Sequence, residues 1–387
     1  MQNPQKSLGM GKSKRTKMGK SNKEDLSQSL IMHPNTIQFL DQTASLTVEQ
    51  VKWQQVLQMS DHLSKQATIV GMLWNEESPK AESLKETIES YFISLQGFLL
   101  CCHKIAVSAG PTLSSLIHVS VKQIVDSSLE LSKGSVSLYD DFAEGTYEKD
   151  KKPYVPKLTA VVLEAWFNFK KVPSTNLIAI GNAISQVAVI MKDVLNKMKD
   201  VKRPACPSSE CEASSGDVFS PEQIEFAKLV ADIVSEAIMV VIVIRVMTKK
   251  IGMENPKEDS EFVDSLEKVL KLCQRSGAEI EKLGTCVYHS PLEIDKMVQT
   301  VKILGANLDE VEAEVEHKKW SSNAFPGVCR KLRDAIKLME VGLEKRKNLN
   351  HIMIAHQNTI YNTLQLFNPT ASPPTQEKVI RFTVIDD

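Results

Sequence analysis

Aromatic side chains are scarce in this 387-residue chain, 6% of the total against 42% hydrophobic residues overall. The apolar mass is therefore aliphatic, and helices are its natural home. Net charge is nearly absent too: 47 basic and 48 acidic side chains leave a formal −1. That excludes a global field drawing the chain to nucleic acid or an anionic membrane, so any such contact has to be local. Cysteine is sparse and shows no pairing pattern. Cys101, Cys102, Cys206, Cys211, Cys273, Cys286 and Cys329 are odd in number and form no CxxC pair, which specifies neither a disulfide framework nor a zinc site. A reducing compartment is expected. The stretch MQNPQKSLGMGKSKRTKMGKSNKED holds no apolar h-region, which argues against secretion and for the cytoplasm and nucleus.

Long uncharged apolar runs are missing as well. The nearest, LVADIVSEAIMVVIVIRVM at 229–247, is broken by Asp232, Glu236 and Arg245, short of the roughly 20 apolar residues a membrane span takes. It reads as a helix buried on nearly all sides in a bundle, and no membrane partner is expected. Catalytic signatures are equally lacking. The chain has no Gly-rich phosphate loop, GxSxG elbow, HExxH helix or paired CxxC, the patterns that position nucleophiles, phosphates and metals. His62, His103, His118 and His289 fall on different expected helices without a consistent Asp or Cys companion, and His351 and His356 are five apart, poorly spaced to share a ligand. No catalytic, cofactor-binding or metal-binding residue is expected, no cofactor is implied, and the chain is not expected to be an enzyme.

What the sequence does hold, repeatedly, is a 3,4 spacing of apolar residues, the interval at which side chains return to one helix face. Ala81, Leu84, Ile88, Tyr91, Leu95, Phe98, Cys102 and Ile105 form one seam; Leu177, Ile180, Ile184, Val187, Met191, Val194, Met198 and Val201 form another. Ile294, Met297, Val301, Leu304, Leu308, Val311 and Val315 keep the same rhythm, and Phe262, Leu266, Val269, Cys273, Ile280 and Leu283 approximate it. Start signals accompany the seams. Ser78-Pro79, Ser220-Pro221 and Ser290-Pro291 each set a capping serine before a first-turn proline, Ser220 and Gln223 form a capping box, and Ser174 or Thr175 caps the helix after KVP. The spacing predicts helices near 47–74, 79–108, 111–139, 156–171, 174–202, 220–251, 258–284, 290–318 and 322–346.

These elements imply an all-α fold of two up-and-down antiparallel helical bundles. The Pro/Ser/Gly-rich segment 203–219 reads as a linker between an N-terminal bundle, 36–202, and a C-terminal bundle, 220–346. Residues 1–35, with Lys12, Lys14, Arg15, Lys17, Lys20 and Lys23, read as a disordered basic extension or a nuclear import signal. Residues 347–387 form a divergent tail, partly helical and then disordered. Ser-Pro dipeptides are also minimal targets of proline-directed kinases, and Ser220, bordering the linker, is the candidate phosphorylation site.

One helix is unusual. In GPTLSSLIHVSVKQIVDSSLELSKGSV, 110–136, the apolar stripe Leu113, Leu116, Ile117, Val121, Ile124, Val125 and Leu129 is interleaved with Ser114, Ser115, Ser120, Ser127, Ser128 and Ser132. Small residues let helix axes approach, and their hydroxyls can bond a carbonyl one turn back. Tight packing inside a bundle is the first reading, a groove for a partner's amphipathic helix the second.

The strings SKQATIVGMLW (64–74), YFISLQGFLL (91–100), GPTLSSLIHVSVKQIVDSS (110–128), AIGNAISQVAVIMKDVLNKMKD (179–200) and FVDSLEKVLKLC (262–273) resemble the cyclin-D-binding, or Grap and cyclin-D interacting, protein family in its plant branch. The resemblance runs from about residue 36 to about 345. It implies two bundles similar to the vinculin and α-catenin type. It also implies a non-enzymatic regulator that binds D-type cyclins or helix-loop-helix regulators and restrains cell-cycle progression and transcription. No basic stretch precedes a helix pair in the matched region, so direct nucleic-acid reading is not expected. The chain departs from the family in its short 203–219 segment, where plant members usually carry an acidic linker, and beyond about 345. No motif marks the cyclin contact, so partner-binding residues and oligomeric state stay open. A vinculin-like cytoskeletal or adhesion scaffold is the competing function.

Overall fold

The structure, a computed structural model, describes residues 51–74, 79–145, 154–201, 219–254, 259–320 and 322–367. Expectations for 1–35, for all of the linker but Phe219, and for the tail from 368 onward lie outside the described residues. Among the described residues there are nine helices and no strand: α1 (Trp53–Met72), α2 (Ala81–Ser108), α3 (Pro111–Glu144), α4 (Tyr154–Phe169), α5 (Asn176–Asp200), α6 (Pro221–Glu254), α7 (Ser260–Tyr288), α8 (Ile294–His317) and α9 (Phe325–Phe367). The all-α expectation holds.

Local chemistry explains several helix ends. Gly110 caps α3 with Pro111 at its first position, and Gly145 closes it in the left-handed conformation at φ 74°, where a side chain would be strained. Thr175 Oγ1 accepts from the Ile178 N–H at 3.3 Å, and Asp259 Oδ1 accepts from the Phe262 N–H at 2.8 Å. At α6 the box is complete: Ser220 Oγ accepts from the Gln223 N–H at 3.1 Å, and Gln223 Oε1 accepts from the Ser220 N–H at 2.9 Å. Several starts fall later than expected: α1 begins at Trp53 rather than near 47 and α9 at Phe325 rather than near 322, and two more fall after Ser-Pro pairs. Helix α2 begins at Ala81 after Lys80, and α8 begins at Ile294 after Glu293, three residues past a cis Ser290-Pro291 bond. At the other end, α9 runs on to Phe367 rather than stopping near 346.

The chain divides into two compact units, Met1–Ala179 and Ile180–Asp387. In the first, α1 packs on α2, α2 on α3, α3 on α4, and α4 returns to α1, closing a ring. Its centre is aromatic: Phe98 lies edge-on to Trp166 at 4.9 Å and to Phe169 at 5.0 Å, and Trp53 tilts against Phe169 at 5.6 Å. These few rings join α1, α2 and α4, where each buries more apolar surface than an aliphatic residue. Every member of the α2 seam from Leu84 to Cys102 is buried.

In the second unit α6 packs on α7, α7 on α8, α8 on α9, and α9 returns to α6. Helix α5 adds a fifth member from Ile180 onward. Its seam, Ile180 to Val201, is buried, and Val187 and Val194 sit over glycines of α7. A β-carbon at Gly277 would lie 3.1 Å from Val187 Cγ1, and one at Gly284 2.8 Å from Val194 Cγ1. From α6, Arg245 lies against Gly181 and its Nε donates to Ser185 Oγ at 3.3 Å. The expected boundary at 203–219 assigns α5 to the first bundle, whereas the compact units part inside its first turn. A seam shows that one face is buried, not which neighbours bury it.

Candidate interaction surfaces

The serine-rich face of α3 turns inward over its second half. Ser127, Ser128, Ser132 and Ser135 are buried, and their hydroxyls donate to the carbonyls of Ile124, Ile124, Ser128 and Leu131 at 3.0, 2.6, 3.0 and 2.8 Å. No hydroxyl among these four is stranded. Beside them, a β-carbon at Gly134 would come within 2.4 Å of Leu158 Cδ1 on α4. The small face is thus filled by its own bundle, and the partner-groove reading has no open groove there. Ser114, Ser115 and Ser120 are not buried.

The expected histidine placements hold separately, on α1, α2, α3 and the end of α7. His118 donates from Nδ1 to the Ser114 carbonyl at 2.8 Å, and His289 Nε2 lies 3.9 Å from Glu293. His103 is buried, with no hydrogen-bond partner for either ring nitrogen. Among the described residues no group of three His, Cys, Asp or Glu side chains is arranged to hold a metal ion. The buried thiols are held in the neutral form: burial pushes Cys273 and Cys329 up to about 12, Cys286 up to about 11, and Cys102 well above the ordinary thiol value. A thiol so raised is a poor nucleophile.

Outward apolar stripes are the features that remain. The 229–247 helix, expected to be covered nearly all round, buries Val230, Ile233, Val234, Ala237, Val240, Val241, Ile244 and Met247 within α6 but exposes Met239, Ile242, Val246 and Met253, the last at 77%. These four fall at i, i+3, i+7 and i+14 on one face. Because the run from Ala237 to Ile244 is apolar at every position, it offered no polar contrast to mark Met239 and Ile242 as outward. Helix α2 carries a second stripe, Ile93, Leu100 and Val107, and α9 a third, Leu338, Val341, Leu349, Ile352 and Ile360. Two described helices, α2 and α5, are long and apolar enough to cross a membrane by length and composition, as core helices of bundles also are, and both are partly buried in the fold.

Ser220 is exposed at the head of α6, and the box it forms is anchored further: Gln223 Nε2 donates to the Val287 carbonyl at 3.0 Å and the His289 carbonyl at 3.4 Å. The cap thereby ties α6 to the end of α7.

Two family models match in chain order, residues 55–204 to the N-terminal region of Grap2 and cyclin-D-interacting proteins and residues 207–313 to their C-terminal region. The chain belongs to the Grap2 and cyclin-D-interacting protein family. This is a protein-interaction family. The two regions meet where the linker was expected, so α5 lies in the N-terminal family region although most of it packs in the second unit. The α2 and α6 stripes fall inside the matched residues and the α9 stripe beyond them. No curated protein matches the chain.

Proposed function

We propose that this chain is a non-enzymatic interaction protein that captures a D-type cyclin, or a helix-loop-helix regulator, on the outward face of α6, and thereby restrains cell-cycle progression and transcription in the cytoplasm and nucleus. The observation that carries this reading is the Met239, Ile242, Val246 and Met253 stripe, lying within a region shared with proteins named for binding cyclin D. It runs about 21 Å along the axis at 1.5 Å per residue. A rigid amphipathic ridge of that length suits docking into a groove of helical partners, and unbranched methionines adapt to the partner's contour. Phosphorylation at Ser220, on the same helix, would act at its cap.

The test is capture of a purified D-type cyclin by the full chain and by a Val246→Asp, Met253→Asp variant. The intact chain should enrich the cyclin over an unrelated helical bundle, and the variant should not, with its circular dichroism unchanged. Equal capture by the unrelated bundle sinks the reading; equal capture by the variant moves the contact off α6.

A further inference from the structure

Helix α9 outlasts the bundle it belongs to. It has 43 residues where its neighbours α6 and α8 have 34 and 24. Its last core residue is Leu343, 1% exposed, and none of residues 344–363 is buried. Near that point ion pairs tie α9 to the bundle, Arg346 to Glu222 and Lys347 to Asp295. Beyond them the stretch NLNHIMIAHQNTIYNTLQLF, 348–367, contains no Asp, Glu, Lys or Arg in a chain that is 25% charged. A bare helix of this length is marginal in water without ion pairs or packing. It is also not an ordinary solvated surface, because exposed Leu349, Ile352 and Ile360 extend the stripe begun by Leu338 and Val341.

We infer that the outward stripe of α9 is a self-association surface, covered by the same stripe of a second copy in an antiparallel helix pair. Two observations select a second copy over other occupants. The first is spacing. Val341, Lys345, Leu349, Ile352, His356 and Ile360 share one face, and they map onto themselves when the helix is reversed about a point midway between Leu349 and Ile352. Val341 then meets Ile360, Lys345 meets His356, and Leu349 meets Ile352, each pair occurring twice, as a two-fold contact requires.

The second is charge. Identical chains present identical charges, and like charges across a contact repel. In this register residues 337–347 of one copy, which hold Lys337, Glu340, Glu344, Lys345, Arg346 and Lys347, lie opposite 354–364 of the other, which hold no Asp, Glu, Lys or Arg. No like-charged pair of those residue types is created. The stripe from Leu338 to Ile360 is about 33 Å long, and a pair of that length sits near the lower end of stable interfaces, roughly 1,200 Å², which makes the association concentration-dependent. The surface lies past the family-matched residues, so self-association stands or falls apart from the cyclin reading.

Sedimentation equilibrium of the full chain from about 1 to 100 μM tests it. The mass should climb from 43.2 kDa toward twice that value. A Leu349→Glu, Ile352→Glu variant should weaken association on the order of 100-fold with unchanged helicity and melting, because neither residue is in the core. Ile354→Glu, on the opposite side of the helix, should leave it intact. A single-chain mass across the range overturns the inference, including the case in which the chain covers its own stripe. An undiminished dimer in the double variant, or loss of the dimer in Ile354→Glu, overturns it equally.

Discussion

The hydroxyls of Tyr91 and Ser128 meet at 2.7 Å in the buried contact between α2 and α3. Ser128 already donates to the Ile124 carbonyl, so the phenol is the donor and the serine oxygen the acceptor. The two partners should therefore respond unequally to deletion. Tyr91→Phe leaves Ser128 satisfied within its own helix and should cost about 1 kcal/mol, whereas Ser128→Ala strands a buried phenol and should cost about 1–3 kcal/mol. Urea denaturation of both variants checks the order.

The same contact sets an alkaline limit. Burial pushes the Tyr91 phenol up to about 12 from an ordinary value near 10. The fold favours the neutral phenol, so its contribution is whole below about pH 10 and is lost as pH rises from about 10 to 12. The stability gap between the native chain and Tyr91→Phe should shift in that window and stay constant from pH 7 to 9. Denaturation midpoints of the two proteins across the range measure it.

Close approach of α5 to α7 depends on glycines seven residues apart. With Val194 Cγ1 only 2.8 Å from where a β-carbon would stand, Gly284→Ala should destabilise the second unit by about 1–3 kcal/mol, since the β-branched valine cannot swing aside. Gly305, whose β-carbon position is open, is the matched control: Gly305→Ala in mid-helix should stabilise by about 0.5–1 kcal/mol. Thermal unfolding of the two variants separates packing from helix propensity.

Asn307 is fully buried, its Oδ1 has no partner, and its Nδ2 reaches only Ser276 Oγ at 3.4 Å. Beside it is a cavity of about 30 Å³ lined in part by Met191, Cys273, Ser276 and Leu304, room for about one water. Asn307→Leu should fill the space, remove the unpaired carbonyl and stabilise by about 1 kcal/mol. Asn307→Ala should enlarge the void and destabilise. Opposite signs in calorimetry are the expected result.

At the head of α6, Ser220→Ala should cost about 1 kcal/mol through loss of the cap, and Ser220→Asp should retain it because a carboxylate accepts the same Gln223 N–H. Hydrogen exchange over 221–224 reads the cap directly. Equal protection in all three proteins contradicts this role.

Much of the fold was legible along the chain because helix chemistry is local. The 3,4 seams of α2, α5 and α8 are the buried faces, and Gly110-Pro111 and the Ser220–Gln223 box mark ends that the structure keeps, since a cap involves residues three apart. The misplaced starts at Ala81 and Ile294 show the limit of the Ser-Pro signal, which locates a turn without saying how many residues pass before the first helical one. The interaction surfaces were hidden for a different reason. From Ala237 to Ile244 every position of α6 is apolar, so exposure of Met239 and burial of Val240 leave no trace in composition.

By itself, then, the order of residues determined that this protein is helical, where most rods begin and end, and which side of each is oily, because those depend on contacts within a turn or two. Only the tertiary structure decided that α5 leans on α7 through Gly277 and Gly284, that α3 closes against α4 at Gly134 and against α2 at Ser128, and that α6 and α9 keep apolar ridges facing outward. Those outcomes depend on matching shapes between segments far apart in the chain, and no single helix carries the outline of its neighbour.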